Sequence, residues 1–175
     1  MLMDSRYGIR PAVARDASAV CAIYNAALAE RCFTFETEPR APRQFEMRIG
    51  ESNFPHLVAD VGDEVVGWAG LSSYSDRQCY AGIAECSVYV AHRARGQGIG
   101  TALTDELVGS AEERGFHKLV GKLFPENIAS LRLIERCGFE KVGMHRRHGR
   151  LEGDWRDVLV VERLMSPSGQ GGATA

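Results

Sequence analysis

The stretch Arg93-Ala94-Arg95-Gly96-Gln97-Gly98-Ile99-Gly100-Thr101 joins a run of strand character to a run of helix character. Before it, Gly82 to Ala91 contains Ser87-Val88-Tyr89-Val90 and reads as a buried strand. After it, Ile99, Leu103, Leu107 and Ala111 recur at helical spacing until Gly115, a suitable residue just past a helix end. Glycines at 96, 98 and 100 let the chain turn tightly and let a ligand approach the backbone amides without interference from Cβ. The first N–H groups of a helix lack intrahelical partners, and the helix dipole adds positive charge there, so the junction suits a phosphate or pyrophosphate. Arg93 and Arg95 are the expected counter-charges. The spacing is Gly-x-Gly-x-Gly, not the Gly-x-Gly-x-x-Gly of dinucleotide folds, and no lysine lies between Tyr89 and Lys118 to complete a nucleotide P-loop.

Working outward, Leu57 to Val61 and Glu64 to Leu71 flank Gly62-Asp63, a hairpin signal. Tyr7 to Arg10 reads as a short strand, and Asp16 stands where an N-cap precedes the helical pattern Val20, Ile23, Tyr24, Ala27, Leu28. A further helix is expected around Pro42 to Gly50. Towards the C-terminus, Lys118 to Phe124 forms a strand stopped by Pro125. Asn127 caps a helix carrying Ile128, Leu131 and Ile134, which ends at Gly138. Phe139 to Gly143 and Val158 to Leu164 are the last strands. The order β-α-α-β-β-β-α-β-α-β-β, with adjacent strands at its centre, fits an α+β sheet better than a doubly wound fold.

The 175-residue length predicts one domain, over residues 1–165, followed by a loose Gly- and Pro-containing tail at 166–175. Lys plus Arg number 21 against 23 Asp plus Glu, a net charge of -2, so no global basic field is offered to nucleic acid or to an anionic membrane. The five cysteines are odd in number and show no Cys-x-x-Cys pair, which reads as reduced, mostly buried thiols. His92, His117 and His145 do not cluster with other ligands at metal spacing, so no metal is expected. The N-terminus lacks an apolar core of signal-peptide type and no 18-residue apolar run occurs; a cytoplasmic enzyme is expected.

On these residues the chain resembles the GCN5-related N-acetyltransferases, whose acetyl-coenzyme A signature, Gln/Arg-x-x-Gly-x-Gly/Ala, is matched in spacing by Arg95, Gly98 and Gly100. The likeness runs over about residues 8 to 164 and is nearest to the phosphinothricin, methionine sulfoximine and arsinothricin acetyltransferase branch. The matching pieces are Ile23-Tyr24-Asn25, Thr34-Phe35-Glu36-Thr37-Glu38-Pro39, Glu85 through Val90, Gly115 through Leu119, Pro125-Glu126-Asn127 with Ala129-Ser130, and Gly153-Asp154-Trp155-Arg156-Asp157-Val158.

The resemblance implies a GNAT fold, a mixed and mostly antiparallel sheet flanked by helices, with the acetyl-CoA site at residues 88–101. It implies that Val88, Tyr89 and Val90 present backbone to the pantetheine arm. Arg95, Gly96, Gln97, Gly98, Ile99, Gly100 and Thr101 form the pyrophosphate cradle, and Asn127 and Ser130 meet the cofactor near its reactive end. Glu85 is the implied base, with His148 beside the substrate amine. An ammonium has no lone pair, so attack on a thioester at neutral pH requires a base. Relatives place a Tyr acid where this chain has Ile134, so solvent or another group protonates the thiolate.

Arg77 is the implied partner of an acidic substrate group, because a guanidinium holds such an anion by two parallel hydrogen bonds. Phe35, Tyr74 and Tyr80 are the implied pocket walls. The implied reaction is acetylation, by direct attack, of the α-amine of a small amino acid or toxic analogue, with acetyl-CoA as co-substrate, in a homodimer whose partner helps shape the pocket. Acetylation of a protein N-terminus or another amine is the alternative within enzymes, and a silent CoA-binding sensor module the alternative outside them.

Overall fold

A computed structural model describes residues 7–51 and 53–165 of the chain. The tail expected at 166–175 lies outside the described residues. Seven strands form one sheet in the order β1-β2-β3-β4-β5-β7-β6. They are β1 (Gly8–Pro11), β2 (His56–Val61), β3 (Glu64–Ser73), β4 (Ile83–Val90), β5 (Lys118–Leu123), β6 (Glu140–Leu151) and β7 (Asp154–Leu164), with helices α1 (Ala17–Ala29), α2 (Pro42–Ile49), α3 (Ile99–Glu113) and α4 (Ile128–Arg136) between them. This is the order of elements expected from the sequence.

The alternation of side chains along a strand sends neighbours to opposite faces and builds two cores. Val58 and Trp68 pack on one face with Val20, Tyr24 and Leu28 of α1 and Phe45 of α2. Leu57, Ala59, Leu71 and Ala84 pack on the other with Ile99, Leu103 and Leu107 of α3 and Ile134 of α4. Trp68, 2% exposed, lies stacked between His56 and Tyr89, with ring centroids 5.8 Å from each.

The local signals are met with two corrections. Asp16 stands at the N-cap of α1, yet its carboxylate does not cap that helix. It turns back to accept the Val13 N–H at 2.8 Å and two hydrogen bonds from Arg10 at 2.7 and 2.9 Å, because a buried carboxylate needs a cation. The last two strands are also much longer than their apolar runs. The basic segment Arg146–Arg150, which has no apolar alternation, is held in β6 by the ladder pairs to β7 on either side of a bulge at 146–148, and the hairpin turns at Glu152 and Gly153, both with positive φ.

All neighbouring strands are antiparallel except β4 and β5. These two run parallel and pair at only three positions, Ile83 with Lys118, Ala84 with Leu119 and Glu85 with Val120. Beyond Glu85 they separate, and the gap positions the site.

Candidate active site

Glu85, Ser87 and Tyr89 point to the α1–α2 face of β4, and Cys86 and Val88 to the α3–α4 face. Residues of both sets line one cavity of about 470 Å³, so the opening between β4 and β5 passes through the sheet. On the α3–α4 side the cavity meets Thr104, Leu133, Ile134, Asn127 and Ser130; on the other it meets Tyr24, Glu36, Arg40, Ser72 and Lys122.

The glycine junction stands where the sequence puts it. Gly98 is the N-cap of α3 with φ of +84°, a conformation costly for any residue with a Cβ. Ala102 makes the first helical bond, to the Gly98 carbonyl at 3.0 Å, so the N–H groups of Ile99, Gly100 and Thr101 have no partner within the helix. The Ile99 side chain is core, 1% exposed, so only its backbone is offered to a ligand. A Cβ on Gly100 would stand 2.7 Å from Leu133 Cδ1, so glycine is what lets α3 lie this close to α4.

The two expected counter-charges are engaged elsewhere. Arg95 donates to both carboxylate oxygens of Glu30 at 2.8 and 2.6 Å and to the Val90 carbonyl at 3.0 Å, and its guanidinium lies over the Phe33 ring. Arg93 pairs with Glu64. Positive potential at the junction therefore comes mainly from the helix end, while Arg95 ties the loop to α1 and β4. Gln97 is exposed and donates to the Arg93 carbonyl at 3.4 Å.

Asn127 caps α4, its Oδ1 accepting the Ser130 N–H at 3.0 Å. That bond fixes both residues at the cavity wall. The acceptor side is built around Glu85, whose Oε2 accepts a hydrogen bond from Lys122 Nζ at 2.7 Å. Phe35 and His148 line the same cavity; Phe35 meets Phe124 edge-on at 4.8 Å and lies over Gly149. His148 sits in a bulge of β6 where Arg146, Arg147 and His148 oppose Asp157 alone, and the Arg147 N–H donates to Asp157 Oδ1 at 2.7 Å.

The expected anion partner and two of the expected wall residues stand apart from these. Arg77, Tyr74 and Tyr80 are exposed and line a neighbouring hollow with Ile83, Lys118 and Glu162. That hollow opens on the sheet face of Glu85, since Ile83 and Glu85 are two residues apart on one strand.

Sequence reasoning missed Lys122, Arg40 and the role of Tyr24. Glu36 bonds Arg40, Arg40 lies over the Tyr24 ring, and the Arg40 guanidinium holds the Glu36 carboxyl below its usual range, with a further contribution from the Tyr24 hydroxyl. Glu36 and Tyr24 lay in quoted motifs, without a role assigned to either. Desolvation lifts the Cys86 thiol to about 12, so it stays protonated at neutral pH.

Residues 22–139 match the acetyltransferase (GNAT) family. The chain belongs to that family. It is 36% identical over 157 residues, 89% of its own length and 86% of the relative's, to a phosphinothricin N-acetyltransferase of Streptomyces viridochromogenes. It is 33% identical, over 91% of its length and 95% of the relative's, to an L-methionine sulfoximine/L-methionine sulfone acetyltransferase of Pseudomonas aeruginosa. Two solved structures superpose with TM-scores of 0.86: a phosphinothricin acetyltransferase of Sinorhizobium meliloti in complex with acetyl-CoA, at 31% identity over 97% of this chain and 92% of that one, and a ribosomal-protein-alanine N-acetyltransferase of Brucella melitensis, at 33% over 90% and 99%.

This GNAT chain is an N-acetyltransferase and uses acetyl-CoA. An enzyme replaces the silent sensor module. Its residues fit the co-substrate: a positive-φ glycine at a helix start, partnerless amides, and a β4 edge with no strand partner past Glu85 among the described residues. No helix among them is long and apolar enough to cross a membrane.

Proposed function

We propose that the protein acetylates the α-amine of a small free amino acid or a toxic amino-acid analogue of the phosphinothricin, methionine sulfoximine or arsinothricin type. The observation that carries this reading is the through-sheet cavity, which joins Thr104, Asn127 and Ser130 on the α3–α4 side to the Glu85 carboxylate and a compact aromatic wall on the other. Its size falls in the range of small-molecule sites, roughly 300–1,000 Å³.

Acetyl-CoA supplies the activated acetyl thioester. Glu85 takes the proton from the acceptor ammonium, directly or through water, while His148 and Phe35 confine the amine. A β4 backbone N–H at Val88 to Val90 meets the developing oxyanion, a contribution of roughly 3–4 kcal/mol in comparable sites. The N–C bond forms as the C–S bond breaks, and solvent protonates the leaving thiolate, since Ile134 has no proton to give. Direct transfer is favoured because Cys86, the cysteine lining the cavity, is held protonated and is a poor acyl carrier.

The unpaired cysteines fit a reducing compartment, so action in the cytoplasm belongs to this proposal, as does a detoxifying role. So does a homodimer: the β6–β7 hairpin exposes Val142, Met144 and Trp155, apolar area that a second copy covers and that brings the partner beside the hollow of Arg77. Light scattering should then report twice 19.2 kDa.

Thiol release from acetyl-CoA with a panel of amines tests the substrate. Turnover of phosphinothricin or methionine sulfoximine is expected. Turnover confined to peptides beginning with alanine would favour the second reading, protein N-terminal acetylation, which rests on the Brucella likeness.

A further inference from the structure

The Glu85–Lys122 pair stands at the fork where β4 and β5 part. Glu85 occupies the last paired position, opposite Val120, and Lys122 lies two residues further along β5 on the same face. The two charges are 2.7 Å apart, 32% and 43% exposed, and both line the cavity. A carboxylate that must receive a substrate ammonium is therefore already occupied by another ammonium. An acceptor with only a positive charge would have to displace Lys122 and leave it beside the site without a counter-ion.

We propose that Lys122 binds the α-carboxylate of the acceptor, so that the Glu85–Lys122 ion pair recognises the zwitterion of a free amino acid. This rests on the amino-acid reading above and deepens it. On binding, Lys122 releases Glu85 and takes the substrate carboxylate, while Glu85 takes the substrate ammonium. One ion pair becomes two, with no charge left uncompensated. An α-amino acid carries both groups on a single carbon, so each reaches its partner across the short gap. A peptide N-terminus has an amide in place of the carboxylate and gives Lys122 nothing to bind. The pair thus separates free amino acids from protein N-termini, a distinction that the cofactor half of the cavity does not make.

Lys122 lies outside every motif that marks the branch. Its position in β5 pairs with Val160 of β7, and its side chain lines the cavity where β4 has parted from β5.

The test compares kcat/KM for an amino acid and for its carboxamide in the wild type, Lys122→Met and Lys122→Arg, with thermal melting as the check on folding. The wild type is expected to prefer the acid by about tenfold or more, as hydrogen bonds to charged groups allow. Lys122→Met brings the ratio near one, chiefly by raising KM for the acid, and Lys122→Arg restores part of it. A wild type that prefers the acid while Lys122→Met keeps the preference overturns the role of Lys122 alone. A wild type that acetylates no free amino acid overturns both this role and the reading beneath it.

Discussion

Glu30, the residue that ends α1, grips Arg95 of the glycine junction through two hydrogen bonds of 2.8 and 2.6 Å. A cation expected to face a pyrophosphate is instead part of the scaffold that sets the shape of the loop. The two roles predict opposite results for Glu30→Gln. A tether that is cut lets the loop relax, and KM for acetyl-CoA should rise several-fold. A fall in KM, from a guanidinium freed to meet the phosphates, would return Arg95 to the role of counter-charge. Steady-state kinetics at fixed acceptor decide between them.

Gly98→Ala places a Cβ at φ of +84° without filling any core space. The left-handed conformation costs about 1 kcal/mol for alanine. If the helix relaxes, its first N–H groups turn away from the cradle. The expected outcome is a modest drop in melting temperature and a rise of about tenfold in the dissociation constant for CoA, measured by calorimetry.

The bulge in β6 depends on Asp157, whose carboxylate accepts the Arg147 N–H at 2.7 Å. Removing it in Asp157→Ala frees the segment that carries His148. Acceptor kcat/KM should fall about tenfold, the loss of one charge-assisted hydrogen bond, while KM for acetyl-CoA stays close to that of the wild type. An equal loss on both substrates would mean that the hairpin as a whole has shifted.

His56 gives the fold a pH signature. Burial, assisted by the Arg48 charge, pushes its value from 6.5 down to about 4. The unfolded chain therefore binds the proton first, and stability is complete above pH 6.5 and declines as the pH falls towards 4. The loss is about 3 kcal/mol at 1.4 kcal/mol per unit. Urea midpoints between pH 7 and 4.5 should fall more steeply in the wild type than in His56→Phe, which keeps a ring against Trp68. Parallel slopes would exclude His56 as the source.

The order of strands and helices is legible because each carries its own period, and the glycine junction because a phosphate site built from backbone leaves its mark in a few adjacent residues. The length of β6 is not, since an exposed basic strand is held by pairing with β7 and leaves no apolar trace. Glu85, Phe35 and His148 share a cavity, as the family motifs imply, whereas Tyr74, Arg77 and Tyr80 travel with the β3–β4 connection into the adjoining hollow. Lys122 is invisible to a linear reading. Its meaning comes from a carboxylate 37 residues earlier, brought close by a parallel pairing.

The parting of β4 from β5 opens the sheet from one face to the other. In the proposed reaction, donor and acceptor would meet at that opening from opposite sides, each over a surface drawn from different helices. On that reading, substitutions on the α1–α2 side would change which amine is accepted while the α3–α4 side keeps its grip on the donor. The architecture therefore allows the two halves of the active site to evolve at different rates.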